Sequence, residues 1–151
     1  MTEPRGNVQL PPPTPIGLVL CDNVYRDSRG KQALIGLFNR IFATKFPATH
    51  PRLCAYIAIT SIRPDAECKL EIVEAESDVT IFEVAGPAPR VPGPTAVLEL
   101  VFELNMVTFP RAGRYYVKFF GNGQLLMQRH FDVITPKIEI GESHDDTSSQ
   151  K

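Results

Sequence analysis

The sequence predicts an all-β chain, an antiparallel β-sandwich of about seven to eight strands, and three observations carry that prediction. Apolar residues alternate at period two in several segments, Gly- and Pro-rich turns recur at short spacing, and no segment carries a helical period or an internal repeat. At 151 residues, 43% hydrophobic and 22% charged, the chain suits one domain with one core.

Residues 1–15 hold five prolines and almost no large apolar side chain, so they are expected to form a disordered, partly extended arm. The sandwich is expected over residues 16–135. Ile16 to Tyr25 reads as a strand, Asp27-Ser28-Arg29-Gly30 as a turn, and Gln32 to Ala43 as one longer strand. Both faces of that strand are apolar, which implies cover by the proline arm or by a partner. Two prolines make Lys45 to Pro51 a crossover loop. Leu53 to Ile62 is the third strand and Pro64-Asp65-Ala66-Glu67 a turn. Cys68 to Ala75 is the fourth, with Cys68, Leu70 and Ile72 inward, and Val79 to Val84 is an edge. Gly86 to Pro94 carries four prolines and must be irregular. After it, Ala96, Leu98, Leu100, Phe102, Leu104 and Met106 alternate as one apolar face. Residues 136–151 read as a disordered polar tail.

The closing segment, Phe109 to Val133, sharpens the class to immunoglobulin-like. Phe109-Pro110-Arg111-Ala112-Gly113 is placed to carry the chain between sheets, and Tyr115 either locks that corner through its hydroxyl or fills core volume. A two-residue Asn122-Gly123 loop would pair Phe119 with Leu126 and Val117 with Gln128, turning Gln128, His130 and Asp132 inward. A three-residue Gly121-Asn122-Gly123 loop instead pairs Phe119 with Leu125 and Val117 with Met127, and this register is expected. It puts Tyr115, Val117, Phe119, Leu125, Met127, Phe131 and Val133 in the core.

A formal charge of -1 gives no global attraction to nucleic acid or to an anionic membrane, and neither partner is expected. No apolar run has the length of a spanning helix and no secretory signal is recognisable, which points to the cytoplasm. Cys21, Cys54 and Cys68 are odd in number and sit in apolar runs, as reduced buried thiols do. With no Trp, the chain cannot build the Cys…Trp…Cys core of antibody domains, and Val117 stands where those domains place a cysteine.

The chemistry-bearing patterns are missing. The cysteines with His50, His130 and His144 form no metal-ligand pair at standard spacing, and Asp22, Asp27 and Asp65 belong to no calcium loop, so no metal or cofactor is expected. There is no Gly-x-Ser-x-Gly elbow, and Asp22 beside Cys21 would raise a thiol pKa. Glu71, Glu74, Glu76, Glu99 and Glu103 read as solvated strand faces rather than acid-base pairs. The chain is expected not to be an enzyme.

Leu20-Cys21-Asp22, Asp27, Gly30-Lys31, Leu34-Ile35-Gly36-Leu37-Phe38, Ile41 and Phe46-Pro47 together resemble an uncharacterised bacterial family of small cytosolic β-sandwich proteins. Phe109-Pro110, Gly113-Arg114-Tyr115 and Asn122-Gly123 fit its C-terminal half. The resemblance spans about Gly17 to Val133, rests on turn and core residues, and implies a fold without an activity.

What remains is surface. In the expected register Tyr116, Lys118, Phe120, Leu126, Gln128 and His130 share the outward face of the closing hairpin, with three large apolar groups among them. The expected function is therefore a non-enzymatic protein-interaction module that self-associates, as in a homodimer, or docks to a cytosolic protein through that face. The alternatives are cover of the face by the proline arm or the Gly86 to Pro94 loop, and a small-ligand or accessory enzyme subunit acting through end loops near Asp27, His50 and Asp65.

Overall fold

The computed structural model describes residues 11–137, so most of the expected arm and tail lies outside the described residues. Nine strands form among them: β1 (Thr14–Arg26), β2 (Gln32–Leu37), β3 (Arg40–Phe42), β4 (Ala48–Thr60), β5 (Glu67–Glu74), β6 (Thr80–Pro87), β7 (Val97–Phe109), β8 (Gly113–Gly121) and β9 (Gln124–Ile134). One sheet has the order β2-β1-β4-β7 and the other β3-β9-β8-β5-β6, and all pairings are antiparallel except β3 with β9. The fold is an all-β, immunoglobulin-like sandwich. Leu20, Leu53, Ala55, Ile57 and Ile59 face Leu70, Ile72, Val117, Phe119 and Phe131 across one continuous core.

The expected single strand from Gln32 to Ala43 is two strands in different sheets. Gly36 adopts a left-handed φ of 76°, and a Cβ there would lie 2.9 Å from Asp22 Cγ, so only glycine lets β2 pass this close to β1. Beyond it the Phe38 N–H donates to Leu20 O at 3.1 Å, and Asn39 O accepts from Asp132 N at 3.2 Å, carrying the chain across to β9. The two apolar faces of the sequence are thus split: Ile41 enters the core, whereas Ile35, Leu37 and Phe42 remain exposed.

Two further expectations fail at one place. Pro51 lies inside β4 rather than in a crossover loop, because the last residue of β4 paired with β1 is Cys54 and only β7 accompanies the strand beyond it. Opposite it, Met106 has a φ of 57°, and the inward parity of both strands switches there. Leu104 and Val107 are both buried, while Met106, expected in the core, is 65% exposed.

The closing hairpin also departs from the expected register. Gly121 pairs with Gln124, leaving the two-residue Asn122-Gly123 turn with left-handed φ values of 49° and 80°. Phe120 pairs with Leu125 but Phe119 with Met127, so Leu126 is an extra residue in a β-bulge. That extra residue restores the parity a two-residue turn would otherwise reverse, and Phe131 and Val133 stay buried. Leu126 turns against the core, where glycine at position 121 makes room for it, since a Cβ there would lie 2.8 Å from Leu126 Cδ1. Leu125, expected inside, is 42% exposed.

The corner between β7 and β8 crosses from one sheet to the other. Tyr115 is fully buried, stacked at 5.8 Å on Phe131 and edge-on at 5.0 Å to Phe109. Its hydroxyl donates to Arg111 O at 2.6 Å, so it both fills the core and locks the corner. The Arg111 guanidinium reaches back to Glu74 with Nε–Oε2 at 2.6 Å and Nη2–Oε1 at 2.9 Å. Glu74 is the one buried charged residue among those described.

Candidate functional site

On the outer face of the five-stranded sheet, strand alternation sets Tyr116, Lys118 and Phe120 of β8 beside Gln128 and His130 of β9. Five of the six expected surface residues therefore share this face, with Leu125 in the place expected for Leu126. Tyr116 meets the His130 ring edge-on at 6.4 Å, and Lys69 Nζ stands 4.9 Å above the Phe120 ring. Lys69 also lies 2.7 Å from Glu71 and 3.9 Å from Glu83. The hydrogen bond to Glu71 is the main cause of the rise in the Lys69 pKa, and Arg114, 3.0 Å away, holds the Asp132 carboxyl below its ordinary range. Tyr116, Lys118 and Phe120 are only half-buried, and the face as a whole is a charge ladder with aromatic rungs.

A second face is more apolar. On the outer side of the four-stranded sheet, Leu37, Cys21, Cys54 and Glu103 form one cross-strand row, and Val19, Tyr56 and Val101 the next. Tyr25, Ile35, Leu37, Val97 and Val101 all project from this face with more than a third of their surface exposed. At its centre the small side chains of Cys21, Cys54 and Ala58 are buried. Burial pushes the Cys21 thiol pKa up, with Cys54 and Asp22 adding to it, which keeps the thiol protonated. Tyr56 donates to Glu99, and burial followed by this hydrogen bond raises its pKa to about 12. The signal for this face was present in the sequence, in the unexplained apolar side of Gln32 to Ala43.

The end-loop residues do not converge. Asp27 accepts backbone N–H bonds from Arg29 and Lys31, both at 2.8 Å, as a turn former. His50 lies near the start of β4, its ring 6.5 Å from that of Phe38. Asp65 sits past the other end of β4, in a turn closed by Ala66 N to Arg63 O at 3.2 Å. A thirteen-residue strand separates the two ends by roughly 40 Å, so these three residues cannot share one site. At the Asp65 end a cavity of about 260 Å³ is lined by Pro11, Ile62, Arg63, Pro64, Val91 and Pro94, among others. Among the described residues no group of three His, Cys, Asp or Glu could hold a metal ion. No helix among them is long and apolar enough to cross a membrane.

The two-sheet order and the tyrosine-locked corner define the class, an immunoglobulin-like β-sandwich. The chain belongs to a family of unknown function (DUF6941), whose profile matches residues 17–134. An immunoglobulin-like protein from Pseudomonas aeruginosa is similar in structure at 16% identity and a TM-score of 0.47, covering 83% of this chain and 98% of that one. An alkylpurine DNA glycosylase, AlkC of Pseudomonas fluorescens, solved bound to DNA containing an abasic site analog, is similar at 16% identity and a TM-score of 0.43. That likeness covers 63% of this chain and spans 27% of the glycosylase. No curated protein matches the sequence.

Proposed function

We propose that this protein is a non-enzymatic protein-interaction module of the cytoplasm, which docks to a second copy or to another protein through the outer face of its four-stranded sheet. One observation carries the reading: Tyr25, Ile35 and Leu37 are large apolar side chains exposed side by side on β1 and β2 at one corner of this face, with Val101 and Val97 exposed farther along it on β7. The three free, buried cysteines support a reducing compartment. A second reading keeps the hairpin face, Tyr116, Lys118, Phe120, Gln128 and His130 with Leu125, and is favoured by the adjoining Tyr116–His130 and Lys69–Phe120 contacts.

Sedimentation velocity of the purified chain, together with affinity capture from source cells, tests both. Ile35→Asp with Leu37→Asp is expected to abolish self-association or capture while the thermal transition stays cooperative. Loss with Tyr116→Ala and Phe120→Ala alone would move the contact to the hairpin. Unchanged behaviour in both variants removes the interaction reading.

A further inference from the structure

One flank of the sandwich is closed where the chain crosses from β2 to β3, but the opposite flank leaves two strand edges side by side, β6 in one sheet and β7 in the other. In the seven-strand immunoglobulin arrangement a further strand pairs with the one that β7 corresponds to. Here the residues between β6 and β7, 88–96, hold three prolines and no strand, so that place beside β7 is unfilled among the described residues. The core is correspondingly thin along this flank. Leu98 and Leu104 are buried, yet Leu100 and Phe102 between them, and Phe82 and Val84 of β6, are only partly covered.

The free polar groups of β7 follow from strand alternation. The bond from Phe38 N to Leu20 O turns the Leu20 peptide groups toward β2, and hence those of Cys21 toward β4. Cys21 pairs with Cys54, and Ala55 pairs with Phe102, so Phe102 spends its groups on β4 and Val101, Glu99 and Glu103 direct theirs to the open edge. On the outer face beside those groups stand two carboxylates four residues apart. Glu103 shares Arg52 at 3.0 Å and Glu99 accepts from Tyr56, and each keeps acceptor capacity for a second donor.

From this geometry we infer that the β7 edge takes up an extended peptide segment as an added strand, with basic side chains four residues apart seated opposite Glu99 and Glu103. The proposal rests on the interaction reading above and names the chemistry of its partner. A second copy of β7 does not fit. Leu98-Glu99-Leu100-Val101-Phe102-Glu103-Leu104 reads nearly alike in both directions, so antiparallel self-pairing about Val101 sets Glu99 against Glu103 of the other copy twice, and like charges directly opposite repel. An added strand with valine opposite Leu100 and Phe102 covers those side chains, and lysine outside them meets both carboxylates.

The test uses the full chain and a capped, fluorescently labelled peptide, Thr-Lys-Val-Thr-Val-Lys-Thr, with fluorescence anisotropy as readout. Binding is expected to be about tenfold weaker for the same peptide with both lysines replaced by glutamate. Glu99→Lys with Glu103→Lys is expected to invert that preference. Val101→Pro removes an N–H that the fold does not use, so the variant is expected to melt cooperatively and to lose the peptide. No binding, binding indifferent to peptide charge, or binding that survives Val101→Pro in a folded variant overturns the inference. Should Val101→Pro unfold, the charge inversion decides alone. Peptide failure with Leu37-dependent association intact sinks only the edge proposal, whereas peptide binding with no effect of Leu37→Asp sinks only the apolar-face reading.

Discussion

Replacing Tyr115 with phenylalanine removes one oxygen from the most tightly built part of the fold. The hydroxyl is the only polar atom of a side chain with no exposed surface, and it donates to Arg111 O at 2.6 Å. Its loss forfeits a net hydrogen bond of about 1 kcal/mol and leaves a carbonyl unpaired at a cost of about another 1 kcal/mol. The ring stacking on Phe131 and the edge contact with Phe109 are kept, so no cavity term is added. A total of about 2 kcal/mol corresponds to a fall in Tm of roughly 6–10 °C for a domain of this size. Calorimetry or a thermal melt followed by near-ultraviolet circular dichroism measures it at pH 7. A pH series adds an independent readout. Burial pushes the Tyr115 pKa up, the hydrogen bond to Arg111 O only partly opposing it. The folded state therefore holds the phenolic proton longer than the unfolded chain does. Stability from this group is complete below the ordinary value of 10.0 and is lost as pH rises above it. The variant should lose that part of the alkaline dependence, while Tyr56, raised to about 12, continues to contribute. A Tm within about 1 °C of wild type, with the alkaline limb unchanged, would refute the corner lock.

Two further substitutions probe the frame. Glu74→Gln removes the carboxylate that Arg111 and Ser77 hold below its ordinary range; because a depressed carboxyl stabilises above the unfolded value of 4.5 and loses that contribution as pH falls, the variant's acid melting curve should be flatter, and an unchanged curve counts against the ion pair. Gly36→Ala forces a left-handed side chain against Asp22 and should cost about 1–2 kcal/mol by chemical denaturation, with Asp22→Ala relieving the contact with the carboxylate but neither the 3.0 Å approach of its Cβ nor the backbone strain.

Most of the sandwich was legible in order along the chain. Alternation located β1, β5, β6, β7 and β8, and the punctuation at Asp27 to Gly30 and at Pro64 to Glu67 located turns, because a pleated strand half-buried on one face writes its period directly into the sequence. The aromatic corner was legible for the same local reason: Tyr115 bonds to a carbonyl four residues before it. The hairpin face was legible only in part. Tyr116, Lys118 and Phe120 follow from β8 alone, but assigning β9 to faces required knowing whether the turn or the strand held the odd residue. Both solutions bury Phe131 and Val133, and only packing chooses between them, through the space that Gly121 leaves for Leu126.

By itself, then, the sequence determined an all-β immunoglobulin-like class, its tyrosine corner and most of its strand positions, since these depend on local period and near-neighbour bonds. Tertiary structure alone decided where parity breaks, at Leu126, at Met106 with Pro51 and at Gly36, because a bulge or a left-handed residue is chosen by what lies across the sheet rather than along the chain. It also decided which apolar residues find the core. Ile41 and Leu37 are only four positions apart and equally hydrophobic, yet the crossing at Phe38 and Asn39 sends one inside and leaves the other on the open face.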